Sequence, residues 1–175
     1  WGYMYLQGLL SPIESKAIQP MAMALEGGDI QAMQQFIGQG RWQDETLLRK
    51  HWQLVDETLG EEDGVLVFDP SGFPKSGSQS VGVARQWCGR LGKTDNCQVA
   101  VYMGYVSGNE FALVDMGLFL PKEWTRDKAR LEKAGVPKDQ RRYRTRHQLC
   151  LEMLKEKGEL LPHSWIAGDD EMGRP

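Results

Sequence analysis

Two short apolar runs in this 175-residue chain end in aspartate, and that pairing restricts the fold more than any other feature. Residues 65–77 read VLVFDPSGFPKSG: four apolar residues lead into Asp69, and Pro70, Gly72 and Pro74 then interrupt regular structure. Residues 164–173 read SWIAGDDEMG, again a short apolar run that ends in an acid, Asp169, with glycine close behind. Side by side and parallel, two such strands bring Asp69 and Asp169 together at their carboxyl ends, where open α/β sheets build their sites. Carboxylates that close repel, and each rises in pKa unless a cation sits between them. Mg²⁺ suits the position, because it takes hard oxygen ligands, keeps several waters and needs only one or two carboxylates. The competing explanation is local: aspartate caps turns through its own backbone, and Asp169-Asp170-Glu171 also fits a solvated loop.

Around this pair the chain divides. Residues 1–62 read as a small helical domain. Ser11-Pro12-Ile13-Glu14 has the pattern of a capping box with proline at the first helical position, and Gly27-Gly28 closes that helix. Ile30, Met33, Phe36 and Ile37 keep helical spacing up to Gly38, and Leu48, Trp52, Val55 and Leu59 share one face before Gly60. Residues 63–175 read as α/β. Strands are expected over 65–68, 98–106 and 111–120, the last two joined through Ser107-Gly108-Asn109. A helix follows over 145–158, opened by a capping box of Thr145 and Gln148, and a last strand covers 164–167.

Charge is distributed unevenly. Residues 1–66 carry 4 basic and 10 acidic side chains, residues 122–157 carry 12 and 6, and the net for the chain is −3. The net value argues against a generic nucleic-acid binder, whereas a basic block beside acidic clusters suits a protein that handles phosphates with a metal. No apolar stretch approaches the roughly 20 residues that span a bilayer, so no membrane partner is expected. Cys88, Cys97 and Cys150 have neither metal-ligand spacing nor an even count, which reads as reduced thiols in a cytoplasmic protein. The chain starts at Trp1 and stops at Pro175 soon after an acidic stretch, so both ends read as cut from a longer protein.

Two other chemistries can be weighed on the residues. Gly72 to Gly77 has the glycine spacing of a P-loop, but Ser78 and Gln79 stand where the phosphate-binding lysine and its hydroxyl neighbour belong, which removes that reading. An aspartyl phosphatase of the haloacid-dehalogenase type also places a nucleophilic aspartate after its first strand. Its general acid two residues later is replaced here by Ser71.

Taken together, VFDPSGFPKSG, SVGVARQWCGRLGKTDNCQVAVYMGY, ALVDMGLFLPKEW and WIAGDDEMGR resemble the DDE-type transposases of bacterial insertion sequences, in the branch of DDE superfamily endonucleases. The resemblance covers about residues 62–174, with LQGLLSPIESKAIQPMA similar to the entry of that branch. It implies an RNase H-like mixed sheet, three antiparallel strands plus a fourth parallel to the first, preceded by the helical domain and truncated after the fourth strand. It also implies metal-dependent phosphodiester hydrolysis and strand transfer at transposon ends, with Mg²⁺ or Mn²⁺ as cofactor. Asp69 and Asp169 match the first two catalytic carboxylates, and the third, a glutamate on a later helix, is expected beyond Pro175; the fragment alone is then expected to be inactive. DNA is the implied partner, with a homodimer for the full-length protein and a cytoplasmic, nucleoid-associated location.

DNA contacts are expected from Lys75, Arg85, Arg90 and Lys93, and from Arg141, Arg142, Arg144 and Arg146, which flank Tyr143 in a strongly basic octet. The alternatives are a truncated, non-catalytic DNA-binding or assembly protein, and the aspartyl phosphatase.

Overall fold

A computed structural model describes residues 1–41 and 43–173; Trp42 of the expected helical domain, and Arg174 and Pro175 at the end of the expected DDE core, lie outside the described residues. The chain forms two compact units, Trp1–Asp44 and Glu45–Pro175.

The first unit packs α1 (Gly2–Leu10), α2 (Ile18–Ala24) and α3 (Ile30–Gln39) around buried Met21, Ala22 and Met33. Close packing rests on Gly8, where an added Cβ would stand 2.8 Å from the Met21 sulfur. Asp29 caps α3 by accepting the Ala32 N–H at 2.7 Å. The capping box expected at Ser11 does not form. Ser11 instead follows the end of α1 and donates its hydroxyl to the Gly8 carbonyl at 2.7 Å, and Lys16 donates to the same carbonyl. With that serine serving the preceding helix, α2 starts only at Ile18.

The second unit is a five-stranded mixed sheet with helices, an α/β architecture of RNase H-like type. It comprises α4 (Asp44–Leu59), β1 (Val65–Pro74), β2 (Ala84–Cys88), β3 (Lys93–Ser107), β4 (Glu110–Leu118), α5 (Lys122–Arg126), α6 (Lys128–Lys133), α7 (Arg146–Lys157) and β5 (Trp165–Gly168). β3 pairs antiparallel with β1, β2 and β4, and β5 lies parallel to β1. Relative to the four expected strands, β2 is additional. It forms a hairpin with β3 through a turn in which Gly92 adopts φ +62°.

α4 was expected in the helical domain, but its apolar face joins the sheet. Val55 is buried among Leu66, Phe68, Tyr105, Leu149 and Met153, and the Trp52 indole donates to the Val114 carbonyl at 2.7 Å. α7 covers the same face and opens with the expected capping box: Gln148 N–H donates to Thr145 Oγ1, and Thr145 N–H donates to Gln148 Oε1. The β3–β4 turn is the expected one, centred on Gly108 at φ +55°. Among the described residues no helix is long and apolar enough to cross a membrane.

The strand that carries Asp69 does not stop there. β1 stays paired with β3 from Val65 through Pro74. The Gly64 carbonyl accepts from the N–H groups of Ser164 and Trp165, at the start of β5, whereas the Lys75 N–H donates to the Asn96 carbonyl on β3. Odd-numbered residues therefore direct their amides to β3 and even-numbered ones away from it, so Pro70 and Pro74 lack an N–H only on the side that β5 has already left. Prolines are tolerated in a strand on such an open edge.

Candidate functional site

The β1–β5 register pairs Val65 with Trp165, Leu66 with Ile166, Val67 with Ala167 and Phe68 with Gly168. Asp69 is the next residue of β1 and Asp169 the first residue after β5, so both follow directly on the end of the ladder. The register is pinned at the opposite end of the pair. The Tyr105 hydroxyl accepts the Glu61 N–H at 3.0 Å and donates to the Pro162 carbonyl at 2.7 Å, joining the segments that enter β1 and β5. Ser164 donates its N–H to Gly64 and its hydroxyl to the Glu62 carbonyl at 2.6 Å. Only glycine fits at position 64, since a Cβ there would stand 2.2 Å from the Tyr105 oxygen.

Asp69 lies opposite Tyr102 on β3, and strand alternation turns it away from the face that buries Phe68. Its pKa is raised, first by partial burial and then by the negative charges of Asp169 and Glu171. Asp169 begins a turn in which its Oδ1 accepts the Met172 N–H at 3.1 Å and its carbonyl accepts the same N–H at 3.0 Å. Glu171 is held by Arg146, whose Nη1 lies 2.6 and 2.7 Å from the two carboxylate oxygens. Beside Asp169 a largely apolar hollow of about 360 Å³ opens among Phe68, Leu151, Leu154, Ile166 and Met172. Cys150 lines it, and burial pushes its thiol up to about 11, so it stays protonated at neutral pH.

This donor set suits part of a shell around a hard divalent cation. Two carboxylates meet with mutual repulsion that a cation would relieve, and Mg²⁺ completes its shell with water. Among the described residues no three His, Cys, Asp or Glu side chains cluster as a metal-holding group.

A profile of the DDE superfamily endonucleases matches residues 1–171. The chain belongs to that family. It is 31% identical over 123 residues to a protein from Microchaete diplosiphon described as "Probable transposase for insertion sequence element IS701". That match takes in 69% of this chain and 32% of the relative, so the chain spans about a third of the curated relative's length. No solved structure gives a significant match.

Within this DDE endonuclease chain, the basic residues expected to meet DNA fall into separate places. Lys75 follows β1 and sits six residues beyond Asp69, about 20 Å along an extended strand. Arg85 is exposed on β2, Arg90 lies in the turn that follows, and Lys93 opens β3, paired with Asp95 at 2.9 Å. The arginines before and at the start of α7 are tied to the protein. Arg141 donates to the Val136 carbonyl at 2.7 Å, and Arg142 and Arg144 both reach Glu152, at 2.9 and 3.0 Å. Sequence reasoning missed Tyr105, Gly64 and Ser164, which set the register, and Glu152 and Glu171, which hold the arginines. Serine and glycine before each strand are the only local signals, and neither announces its partner.

Proposed function

We propose that this chain carries part of the catalytic core of a DNA transposase, in which Asp69 and Asp169 jointly bind a divalent metal ion, Mg²⁺ or Mn²⁺. The observation that carries this reading is the parallel register, which delivers the two carboxylates to one level at the end of the β1–β5 ladder. The family match and the transposase relative support the reaction class. When bound, the metal would activate a water or a DNA 3′-hydroxyl and neutralise charge that builds on the attacked phosphodiester. Asp69 would bind from a strand paired along its length, and Asp169 from the turn beyond β5. Lys75, Arg85, Arg90 and Lys93, with Arg141, Arg142 and Arg144 ahead of α7, would supply sequence-independent attraction to the DNA backbone. The full-length protein would act on transposon ends as a homodimer in the bacterial cytoplasm, at the nucleoid.

The direct test is Mn²⁺ binding followed by electron paramagnetic resonance, together with cleavage of transposon-end DNA by the full-length protein. Asp69→Asn and Asp169→Asn should each abolish cleavage and weaken Mn²⁺ binding. Metal-dependent cleavage that survives Asp69→Asn would remove the assignment. A phosphate-mimicking fluoride adduct on Asp69, indifferent to DNA, would point to the phosphatase instead; Ser71 gives that chemistry no general acid.

A further inference from the structure

β5 gives Asp169 little support. Its four residues are all exposed, and among the described residues it pairs with β1 alone. The turn after it is fastened elsewhere, to the first turn of α7. Arg146 Nη1 bonds both oxygens of Glu171 at 2.6 and 2.7 Å, and the His147 ring lies 2.7 Å from the Glu171 carbonyl, to which Nε2–H must donate. One turn further along α7, Cys150 Sγ meets Met172 Sδ at 3.2 Å. Met172 in turn packs back on the strand end, where a Cβ on Gly168 would stand 2.8 Å from the Met172 Cβ. The Met172 N–H closes the chain of contacts by donating to Asp169 Oδ1. α7 is a firm base for this arrangement, because its capping box is complete and Leu149 and Met153 are buried in the main core. The Arg146 guanidinium is further placed by the Phe119 ring, 5.5 Å away, and its side chain is only 22% exposed.

We propose that Arg146, with His147 beside it, is a positioning residue that orients Asp169 by clamping Glu171, and that it does not contact DNA phosphate. This deepens the metal-binding reading above and rests on it for its consequence, though not for the clamp itself. Glu171 then has a definite task as the counter-charge that locks the turn. Groups that act on a metal through its ligands commonly change affinity by about 10- to 100-fold when removed.

The test compares the chain with its Arg146→Ala and Glu171→Gln variants and with the charge-swapped double variant Arg146→Glu/Glu171→Arg. Without metal, amide exchange of Met172 measured by NMR should quicken by about tenfold or more in both single variants as the clamp opens, while the amides of α7 around Leu149 and Met153 keep their protection. Mn²⁺ affinity should fall by about tenfold in Arg146→Ala and recover in large part in the swapped variant. The salt dependence of DNA affinity should keep its slope. Unchanged Met172 exchange in both single variants would overturn the clamp whatever the metal does. A salt slope lowered by about one with Mn²⁺ affinity unchanged would make Arg146 a phosphate contact. Failure of the metal reading looks different: the unaltered chain would take up no Mn²⁺ that Asp169→Asn removes, while Met172 exchange would still respond to Arg146→Ala.

Discussion

The two aspartates stand at one level, one within a strand and one just past the end of another, and the two strands are of very different standing. β1 is paired with β3 over all ten of its residues and shares its first four with β5 as well, and Leu66 and Phe68 are sunk in the core. β5 has four residues and, among the described residues, one neighbouring strand; its Ile166, the register partner of Leu66, is 55% exposed where Leu66 is 0% exposed. Asp69 is therefore placed by the sheet itself. Asp169 is placed by what lies on either side of its strand: Tyr105, Gly64 and Ser164 before it, Arg146 and His147 after it. A site split in this way has one arm that local changes hardly move and another that depends on a few side-chain contacts.

Mutations in matched pairs sharpen the contrast. Leu66→Ala should cost about 2–5 kcal/mol in thermal or urea unfolding, because it empties a fully buried position, whereas Ile166→Ala should cost less than about 1 kcal/mol. Equal losses at the two sites would show that β5 is as deeply integrated as β1. Tyr105→Phe leaves the Pro162 carbonyl and the Glu61 N–H without their partner and should cost about 1–3 kcal/mol, with calorimetry as the readout. Ser164→Ala removes one exposed bond to Glu62 and should cost about 0.5–1.5 kcal/mol.

The smallest effect concerns pH. Asp69 titrates higher in the fold than in the unfolded chain, so the stability linked to its proton is complete below the ordinary aspartate pKa of about 3.9 and is lost as pH rises through the folded value. Asp69→Asn should therefore be slightly more stable than the parent chain at neutral pH, with the gap closing in acid. Added Mn²⁺ should stabilise the parent and not the variant. A parent chain that gains stability on raising the pH through that window, relative to Asp69→Asn, would contradict the raised pKa.

What could be read from the residues alone followed their range of interaction. The Thr145–Gln148 capping box and the Gly108-Asn109 turn are local devices and form as expected, and the two acid-ended runs pair in parallel as their pattern implied. Ser11 shows how a local pattern misleads: serine and glutamate three apart suit a helix start, yet the hydroxyl turned back to Gly8 instead. Pro70 and Pro74 look like a break until the side of the strand their nitrogens occupy is known, and only the register supplies that. β2 is a five-residue strand, ARQWC, made a strand by its pairing with β3 rather than by its own composition. The four arginines at 141–146 read as free positive charge, but Glu152 and Glu171 lie further along the chain, and no spacing rule links them to the arginines.

The same prolines bear on how the molecule avoids its own kind. Beyond Gly168 the side of β1 turned away from β3 has no strand paired to it among the described residues, which would ordinarily invite one from another chain. Of the three residues that present their backbone nitrogens there, Pro70, Gly72 and Pro74, only Gly72 has a hydrogen to give. An incoming peptide would meet almost no donors, and the buried Gly72 carbonyl already accepts from the Cys88 thiol at 3.6 Å, so edge-to-edge aggregation is discouraged. The border next to Asp69 thus stays clear of stray polypeptide.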